Sequence, residues 1–294
     1  MHTRLLFVHA LSPLHAGTGQ SIGAVDLAIA RDRATDHPYL PGSSLKGALR
    51  DVCDSGQHRE HTQALFGPPT ENASDHAGAL AFGDANLLLL PVRSVAGTFS
   101  WATSPFLLSR YARDAREAGV TDVPAVPANG ALGGCAITAT SALKVGAKVI
   151  FEDLDFTPDA ASTVTADAWA KHLGGALFPN DPEWQKQLVQ RLCIVADDVM
   201  TFLGRHGTDV VTRVALDPAK KTVKKGQLWT EESLPVETVL VALVAARPNA
   251  GSKGLDGPRL LDALRPLLES SVQLGGKSTV GRGRCRLVLS GGAA

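Results

Sequence analysis

A glycine-rich, cationic segment near the C-terminus carries residue types that suggest chemistry. Residues 274–290 read LGGKSTVGRGRCRLVLS, in which Gly276, Lys277 and Ser278 match the end of a nucleotide-binding P-loop. A P-loop also needs a glycine five residues before Gly276, follows a buried strand and opens a helix. Ser271 occupies that glycine position, and the pattern around the segment predicts a preceding helix and a following strand. These features argue against a nucleotide-phosphate enzyme.

The same segment suits binding of a nucleic acid backbone. Its glycines permit positive φ and close approach, and the N–H groups of such a loop form concavities that bind anions. Cationic side chains beside them would attract phosphates. An ordinary turn with solvated cations is the alternative that the loop alone leaves open. The candidate RNA-binding residues of this loop are Gly275, Gly276, Lys277, Ser278, Gly281, Arg282 and Gly283.

A second cationic segment is PGSSLKGALRD, residues 41–51. It predicts a helix with Ser43 or Ser44 as N-cap, and its N-terminus favours an anion. Lys46 and Arg50 are four residues apart and therefore share one face. Taken alone, this is the pattern of a surface helix with two solvated cations. Together with the glycine-rich loop, it predicts backbone contacts from Ser44, Lys46 and Arg50.

Composition limits the functional classes. The chain has 294 residues, of which 44% are apolar and 20% charged, as in globular proteins. The formal net charge is zero, which argues against a uniformly basic nucleic-acid binder, but cations cluster locally at 213–225 and 277–286. No apolar run reaches the roughly 18 residues that would indicate a membrane span. The four cysteines lie far apart without a CxxC pair, so we expect reduced thiols in a cytoplasmic protein.

The elements that must position these segments alternate between strand and helix patterns. Apolar strands are predicted at 3–14 and 236–247, and a capped amphipathic helix at 104–119. Residues 213–234 carry turn residues between two alternating segments, which predicts a hairpin. Further elements are predicted as strands from 79 and at 284–290, helical patches at Leu188–Cys193 and Asp197–Leu203, and a helix broken at Pro266. The pattern indicates an α+β fold built on one or two ferredoxin-like units.

Four ordered stretches resemble a known family. They are LSPLHAGTGQ…VDLAIAR…PYLPGSSLKGALRD, AFGDANLLLLPVRSVAGTFSWATSPFLLSRYARD, DPAKKTVKKGQLWTEESLP and LGGKSTVGRGRCRL. Together they resemble the RAMP superfamily, and within it the repeated backbone subunits of type III-B (Cmr) CRISPR effector complexes. The resemblance runs from the first strand to the last and is least specific at 55–76 and 153–184.

This resemblance implies a single domain with a ferredoxin-like (RRM-type) palm, helical insertions and a β-hairpin thumb. The palm would comprise 1–54, 79–100 and 236–294, with insertions at about 55–78 and 101–205 and the thumb at about 206–235. The implied partners are guide CRISPR RNA, target RNA, further copies of the chain in a filament, and other Cmr subunits. Guide–target pairing reads the sequence, so the protein needs to bind only backbone and shape.

The resemblance also implies that target RNA is cut in a reaction dependent on a divalent metal, Mg²⁺ or Mn²⁺. Its motif places the key acid at Asp26, which would hold the metal or orient a 2′-hydroxyl. His15 is a candidate proton shuttle or phosphate contact, or alternatively a loop histidine that satisfies backbone groups. Glu231 and Glu232 are candidates for a secondary role from the thumb, and the sequence does not separate them.

Two thumb residues are further candidates for RNA contact. Lys221 lies at the cationic tip of the predicted hairpin. Trp229 would stack on a displaced base or, equally, anchor the thumb in the core. Asp84, although it matches the family, is expected to be structural.

Two alternatives of other classes remain at this point. One is a guide-RNA scaffold without cutting activity, against which the presence of Asp26 argues. The other is a guide-processing RAMP ribonuclease that acts without metal or partner subunits.

Overall fold

The computed structural model describes residues 1–19, 24–72, 75–128, 134–248 and 255–290. Its strands are β1 (His2–Ala10), β2 (Tyr39–Leu40), β3 (Leu80–Phe82), β4 (Ala85–Arg93), β5 (Phe99–Thr103), β6 (Cys135–Ile137), β7 (Lys144–Val145), β8 (Lys148–Phe151), β9 (Leu154–Phe156), β10 (Leu192–Val195), β11 (Asp209–Leu216), β12 (Val223–Ser233), β13 (Val239–Ala246), β14 (Val272–Gln273) and β15 (Arg284–Leu289). Its helices are α1 (Gly42–Ser55), α2 (Thr62–Phe66), α3 (Pro105–Glu117), α4 (Thr163–Leu177), α5 (Pro182–Arg191), α6 (Asp197–His206) and α7 (Gly257–Asp262).

One large mixed sheet organises the fold. Its strand order is β14-β15-β1-β13-β4-β5-β10-β6, with β2 added to β4 and β3 added to β13. β10 runs parallel to β5, while the other neighbours on this path are antiparallel. The α+β prediction is therefore confirmed.

Both faces of the sheet are covered, which explains the continuous apolar runs in β1 and β13. Side chains alternate along a strand, so Leu6 and Val8 enter one core while Leu5 and Phe7 enter the other. The first core is completed by α1, α6 and α7, and the second by α3, α4 and α5. All four cysteines are buried and free of disulfide bonds. None of the helices in the described ranges has the length and apolar character needed to cross a membrane.

Helix α1 begins differently from its prediction. Neither serine caps it: Pro41 holds the N-cap position, and the N–H of Gly42 donates to Oδ1 of Asp84 at 2.8 Å. A Cβ on Gly42 would overlap the carbonyl oxygen of Phe82, so the helix starts in direct contact with the sheet. This contact confirms the structural role expected of Asp84.

Other predicted elements are found with small corrections. Ser104 caps α3 by accepting from the N–H of Leu107, as its pattern predicts. The C-terminal helix is interrupted before Pro266, where α7 gives way to a 3₁₀ turn. The prediction of a helical patch reaching Cys193 is wrong, because the helix ends at Arg191 and β10 follows at once. The periodicity of a short apolar run is the same in a buried helix and a buried strand, so the pattern alone does not separate the two.

The hairpin predicted at 213–234 is confirmed and forms its own two-stranded sheet. β11 and β12 pair in a constant register from Asp209 with Ser233 to Val214 with Leu228, and the register then shifts before Leu216 pairs with Val223. Asp217 stabilises the turn by accepting from the N–H groups of Ala219 and Lys220. The hairpin therefore extends from the large sheet as a separate arm.

Candidate active site and RNA interface

Three segments from distant parts of the chain meet at the base of the hairpin. They are the connection after β1, the last residues of β12, and the loop between β14 and β15. Leu27 forms a parallel bridge with Glu231, while His15 forms an antiparallel bridge with Gly276. These backbone contacts bring the predicted acid, the thumb glutamates and the glycine-rich loop into one region.

Asp26 is exposed and is held by a single residue of β12. Its Oδ2 accepts hydrogen bonds from the backbone N–H and the hydroxyl of Thr230, at 2.8 and 2.9 Å. Its own N–H donates to the same hydroxyl oxygen at 2.9 Å. The backbone bond and then the hydroxyl bond lower the pKa of Asp26 below its usual value. The carboxylate is therefore ionised at neutral pH and fixed in direction.

His15 is buried between the end of β12 and the glycine-rich loop. Its Nδ1 lies 2.6 Å from the carbonyl oxygen of Glu232, and its own carbonyl accepts from the N–H of Gly276 at 2.9 Å. A carbonyl only accepts, so Nδ1 carries the proton and Nε2 of the neutral ring is left as an acceptor. The ring therefore satisfies a backbone group, as one of the two interpretations expects. A catalytic role through Nε2 stays a prediction.

The structure gives the two glutamates at the end of β12 different surroundings. Glu232 is buried, and its carboxylate accepts from the Arg31 guanidinium, the Thr208 hydroxyl at 2.8 Å and the Ile29 N–H at 3.1 Å. All three partners belong to the framework around the hairpin base. Glu232 is thus an anchor of the hairpin base.

Glu231 instead faces the glycine-rich loop. Its Oε1 accepts from the indole N–H of Trp229 at 2.8 Å and lies 3.0 Å from Nζ of Lys277. Arg213 lies 3.4 Å from Oε2. Burial raises the pKa of Glu231, but the bonds from Trp229 and Lys277 and the two positive charges outweigh it and lower the pKa overall. Of the two glutamates, Glu231 is the one placed beside the predicted RNA-binding loop.

The glycine-rich loop is the turn of a short hairpin rather than a P-loop. It connects β14 to β15, and Leu274 N–H bonds to the Gly283 carbonyl at 2.8 Å across its neck. β14 stands between the helical turn and the loop, where the sequence predicted a direct helix-to-loop passage. Ser278 begins a 3₁₀ turn, and the loop leads into a strand. This arrangement lacks the strand-loop-helix order that a nucleotide-binding loop requires.

Positive φ angles explain why the loop is rich in glycine. Gly275, Gly281 and Gly283 have φ of +68°, +79° and +78°, and a Cβ on Gly275 would overlap the carbonyl oxygen of His15. Lys277 adopts +66°, which is unfavourable for a residue with a side chain. Its contact with Glu231 helps hold it there. Close contacts of Gly275 and Gly283 with the backbone of His15 and Leu274 therefore help determine the conformation of the loop.

Gly283 and Gly281 provide a matched test of this packing. Gly283→Ala should destabilise the protein by about 3 kcal/mol, because its Cβ would overlap the Leu274 carbonyl oxygen in addition to straining φ. Gly281→Ala has open space around its Cβ and should cost only the φ strain, about 1 kcal/mol. Denaturant unfolding of both variants would measure the difference. Equal midpoints would contradict the packing described for Gly283.

The cations of α1 do not share a cleft with this loop. Ser44 and the loop residues Gly275 and Gly276 line a cleft of about 610 Å³. Lys46 and Arg50 line another cleft, of about 630 Å³. Helical geometry explains the separation, since Ser44 lies on a different face of α1 from the two cations. RNA contact by Ser44, Lys46, Arg50 and the loop stays a prediction, with its residues divided between two clefts.

The remaining candidates differ in how strongly they are held. Arg282 donates to the Ser233 hydroxyl at 3.1 Å and so ties the loop to the end of β12. Trp229 is half-buried and donates to Glu231, and the choice between base stacking and anchoring stays open. Lys221 is exposed in the turn of the hairpin, with φ of +55°.

Sequence reasoning missed Thr230. It lies between two residues that were singled out, Trp229 and Glu231, but its partner Asp26 is 204 residues away. Alternation along β12 would have placed Thr230 on the face opposite its two neighbours. Nothing local indicates that this face meets the acid.

The side chains around Asp26 could bind a divalent ion only together with oxygen atoms of the RNA substrate. No group of three His, Cys, Asp or Glu side chains that could hold a metal occurs within the ranges that the structure describes. Mg²⁺ commonly binds through one or two carboxylates, with waters and substrate phosphates completing its shell. An exposed, ionised Asp26 matches that kind of site. Glu231 already faces two cations.

Comparison with known proteins identifies the family. Residues 7–286 match the RAMP superfamily. The CRISPR system Cmr endoribonuclease Cmr4 of Pyrococcus furiosus is 34% identical over 98% of this chain and 96% of its own length. The CRISPR system CMR subunit Cmr4 of Saccharolobus solfataricus is 26% identical over 94% of this chain and 93% of its own. The crystal structure of oligomeric Cmr4 from P. furiosus has a TM-score of 0.77 and 26% identity, covering 99% of this chain and 100% of that one. The chain belongs to the RAMP superfamily.

Proposed function

We propose that the chain is a backbone subunit of a type III-B CRISPR effector complex that binds guide RNA and cuts complementary target RNA. The convergence of Asp26, the base of the hairpin and the glycine-rich loop is the observation that carries this proposal. Its P. furiosus relative is named an endoribonuclease, its S. solfataricus relative a CMR subunit, and the similar crystal structure is of an oligomer. The implied partners are guide and target RNA, further copies of the chain and other Cmr subunits.

The proposed architecture assigns a role to each part of the fold. Strand order β15-β1-β13-β4, with α1 following β1 and α7 following β13, supports a ferredoxin-like palm. The β11–β12 hairpin is the proposed thumb. The segments at about 55–78 and 101–205 are the proposed insertions, and the whole chain is proposed to act as one RAMP domain.

The proposed chemistry uses the 2′-hydroxyl of the target as nucleophile. The 2′-oxygen attacks the adjacent phosphorus and the bond to the 5′-oxygen breaks, which leaves a 2′,3′-cyclic phosphate and a 5′-hydroxyl. Asp26 would hold Mg²⁺ or Mn²⁺ together with the RNA and orient the hydroxyl. The ion, when bound, supplies positive charge for the developing negative charge on the phosphate. Nε2 of His15 is an acceptor that suits proton transfer.

Assembly with defined RNAs tests this function against its alternatives. The chain, combined with guide RNA and its partner Cmr subunits, should form a filament by sedimentation and cut target RNA at regular intervals. EDTA should stop cutting, and a target with 2′-deoxy residues at the cut positions should stay intact. Filament formation without cutting would favour the scaffold function. Cleavage of precursor guide RNA by the chain alone, unaffected by EDTA, would favour the processing ribonuclease.

A further inference from the structure

Thr230 makes three hydrogen bonds with the proposed catalytic acid. Its N–H and its hydroxyl both donate to Oδ2 of Asp26, at 2.8 and 2.9 Å, and its hydroxyl oxygen accepts from the Asp26 N–H at 2.9 Å. A carboxylate held through one oxygen by two donors cannot rotate without losing both bonds. The direction of Oδ1 is therefore also fixed, although Asp26 itself is exposed.

The backbone around Asp26 is attached to the same strand. The Leu27 N–H donates to the Thr230 carbonyl at 3.0 Å, and the Leu27 carbonyl accepts from the Glu232 N–H at 3.0 Å. Ile29 N–H then donates to the Glu232 carboxylate at 3.1 Å. Residues 26–29 are thus attached to the end of β12 through one parallel bridge and the Glu232 side chain, so the acid is placed by the hairpin rather than by the strand that precedes it in sequence.

We propose that Thr230 is a positioning residue for target cleavage, whose hydroxyl fixes the Asp26 carboxylate in the orientation that meets the RNA. This inference rests on the proposed function of Asp26. A catalytic carboxylate must be placed within a fraction of an ångström of the reacting group. The reaction rate therefore falls steeply when the orientation of the carboxylate is not fixed. The hydroxyl is the part of this contact that a substitution can remove, since the bonds involving the Thr230 backbone N–H and carbonyl remain in any variant.

The hairpin offers a closely matched control. Thr212 pairs directly with Thr230 across the two strands, so both side chains lie on one face. Thr→Val preserves shape and β-branching while removing the hydroxyl, and valine is favoured in strands. Thr230→Val and Thr212→Val are therefore the same change at neighbouring positions, and only the first removes a contact with the acid. Thr230→Ser keeps the hydroxyl.

The experiment measures target cleavage by the assembled complex at varied target concentration. We expect Thr230→Val to lower kcat about tenfold with KM for the target and guide affinity unchanged, because the acid is misplaced and binding is not. Thr230→Ser should stay within about twofold of the unsubstituted complex, and Thr212→Val should match it.

A double-variant comparison tests whether Thr230 acts through Asp26. In an Asp26→Asn complex, adding Thr230→Val should cause no further loss of cleavage. Unchanged cleavage by Thr230→Val, failure of serine to restore it, or an equal loss in Thr212→Val would overturn the positioning role and leave the proposed function intact. Full cleavage by Asp26→Asn would overturn both. If Thr230→Val fails to assemble, Thr230→Ala replaces it, both alone and combined with Asp26→Asn. The same results then decide: Thr230→Ala should lower cleavage, Thr230→Ser should keep it, and Thr230→Ala should cause no further loss in Asp26→Asn.

Discussion

Asp26→Asn is expected to lower target cleavage by the assembled complex at least about 100-fold, which is the low end of what a positioned acid or base contributes. The substitution removes the negative charge but keeps a side-chain oxygen that can accept from Thr230, so the loop should hold its shape. Because hydrogen bonds from Thr230 lower its pKa, the native carboxylate is ionised throughout the neutral range. The charge, rather than a proton on the acid, is therefore what the variant lacks.

Asp32→Asn is the control for this experiment. Asp32 also accepts from backbone N–H groups, those of Ala34 and Thr35, and its pKa is likewise lowered, first by the Thr35 bond. Asp32 lies on the same connection after β1, but its bonds stabilise only the local turn at residues 32–35. Single-turnover cleavage, measured beside guide binding by filter assay, should be normal in Asp32→Asn and lost with retained binding in Asp26→Asn. Full cutting by Asp26→Asn would exclude the catalytic assignment.

Glu232→Ala is expected to destabilise the protein by about 3 kcal/mol, the cost typical of breaking a buried ion pair. The variant would leave the Arg31 guanidinium, the Thr208 hydroxyl and the Ile29 N–H without their shared acceptor. Denaturant unfolding with a constant m-value would report this loss directly.

Glu231→Ala separates stability from function at the adjacent position. Its partners Lys277 and Arg213 are about one-third exposed, and ion pairs with that much access to water contribute about 1 kcal/mol or less. Glu231→Ala should therefore unfold at nearly the midpoint of the unsubstituted protein while altering RNA cleavage. A larger loss of stability in Glu231→Ala than in Glu232→Ala would contradict the roles assigned to the two residues.

The sequence pattern correctly predicted the elements that depend on interactions between residues close together in the chain. The apolar runs of β1 and β13, the serine cap of α3 and the break before Pro266 each follow from interactions within a few residues. The exclusion of a P-loop likewise needed only the position of Ser271 and the order of neighbouring elements.

Features that depend on distant contacts were not predictable from one sequence. The N-terminus of α1 is set by Asp84, a partner 42 residues away, and not by the adjacent serines. The separate roles of Glu231 and Glu232 depend on partners from the loop after β14 and from the connection after β1. The Thr230 contact with Asp26 has no local signal at all. Each of these is a tertiary contact that overrides or adds to local preference.

The convergence of three distant segments also has a consequence for how the protein is made. Asp26 leaves the ribosome long before its partners, and β1 must await β13 and β15 for its neighbours in the sheet. Synthesis proceeds at about 5–20 residues per second, so the roughly 250 residues between Asp26 and Lys277 take on the order of 10 to 50 seconds. Contacts of such long range form late, because the chain must first close large loops. A nascent chain therefore carries Asp26 without the rest of the proposed site until the residues up to Lys277 and β15 have been synthesised.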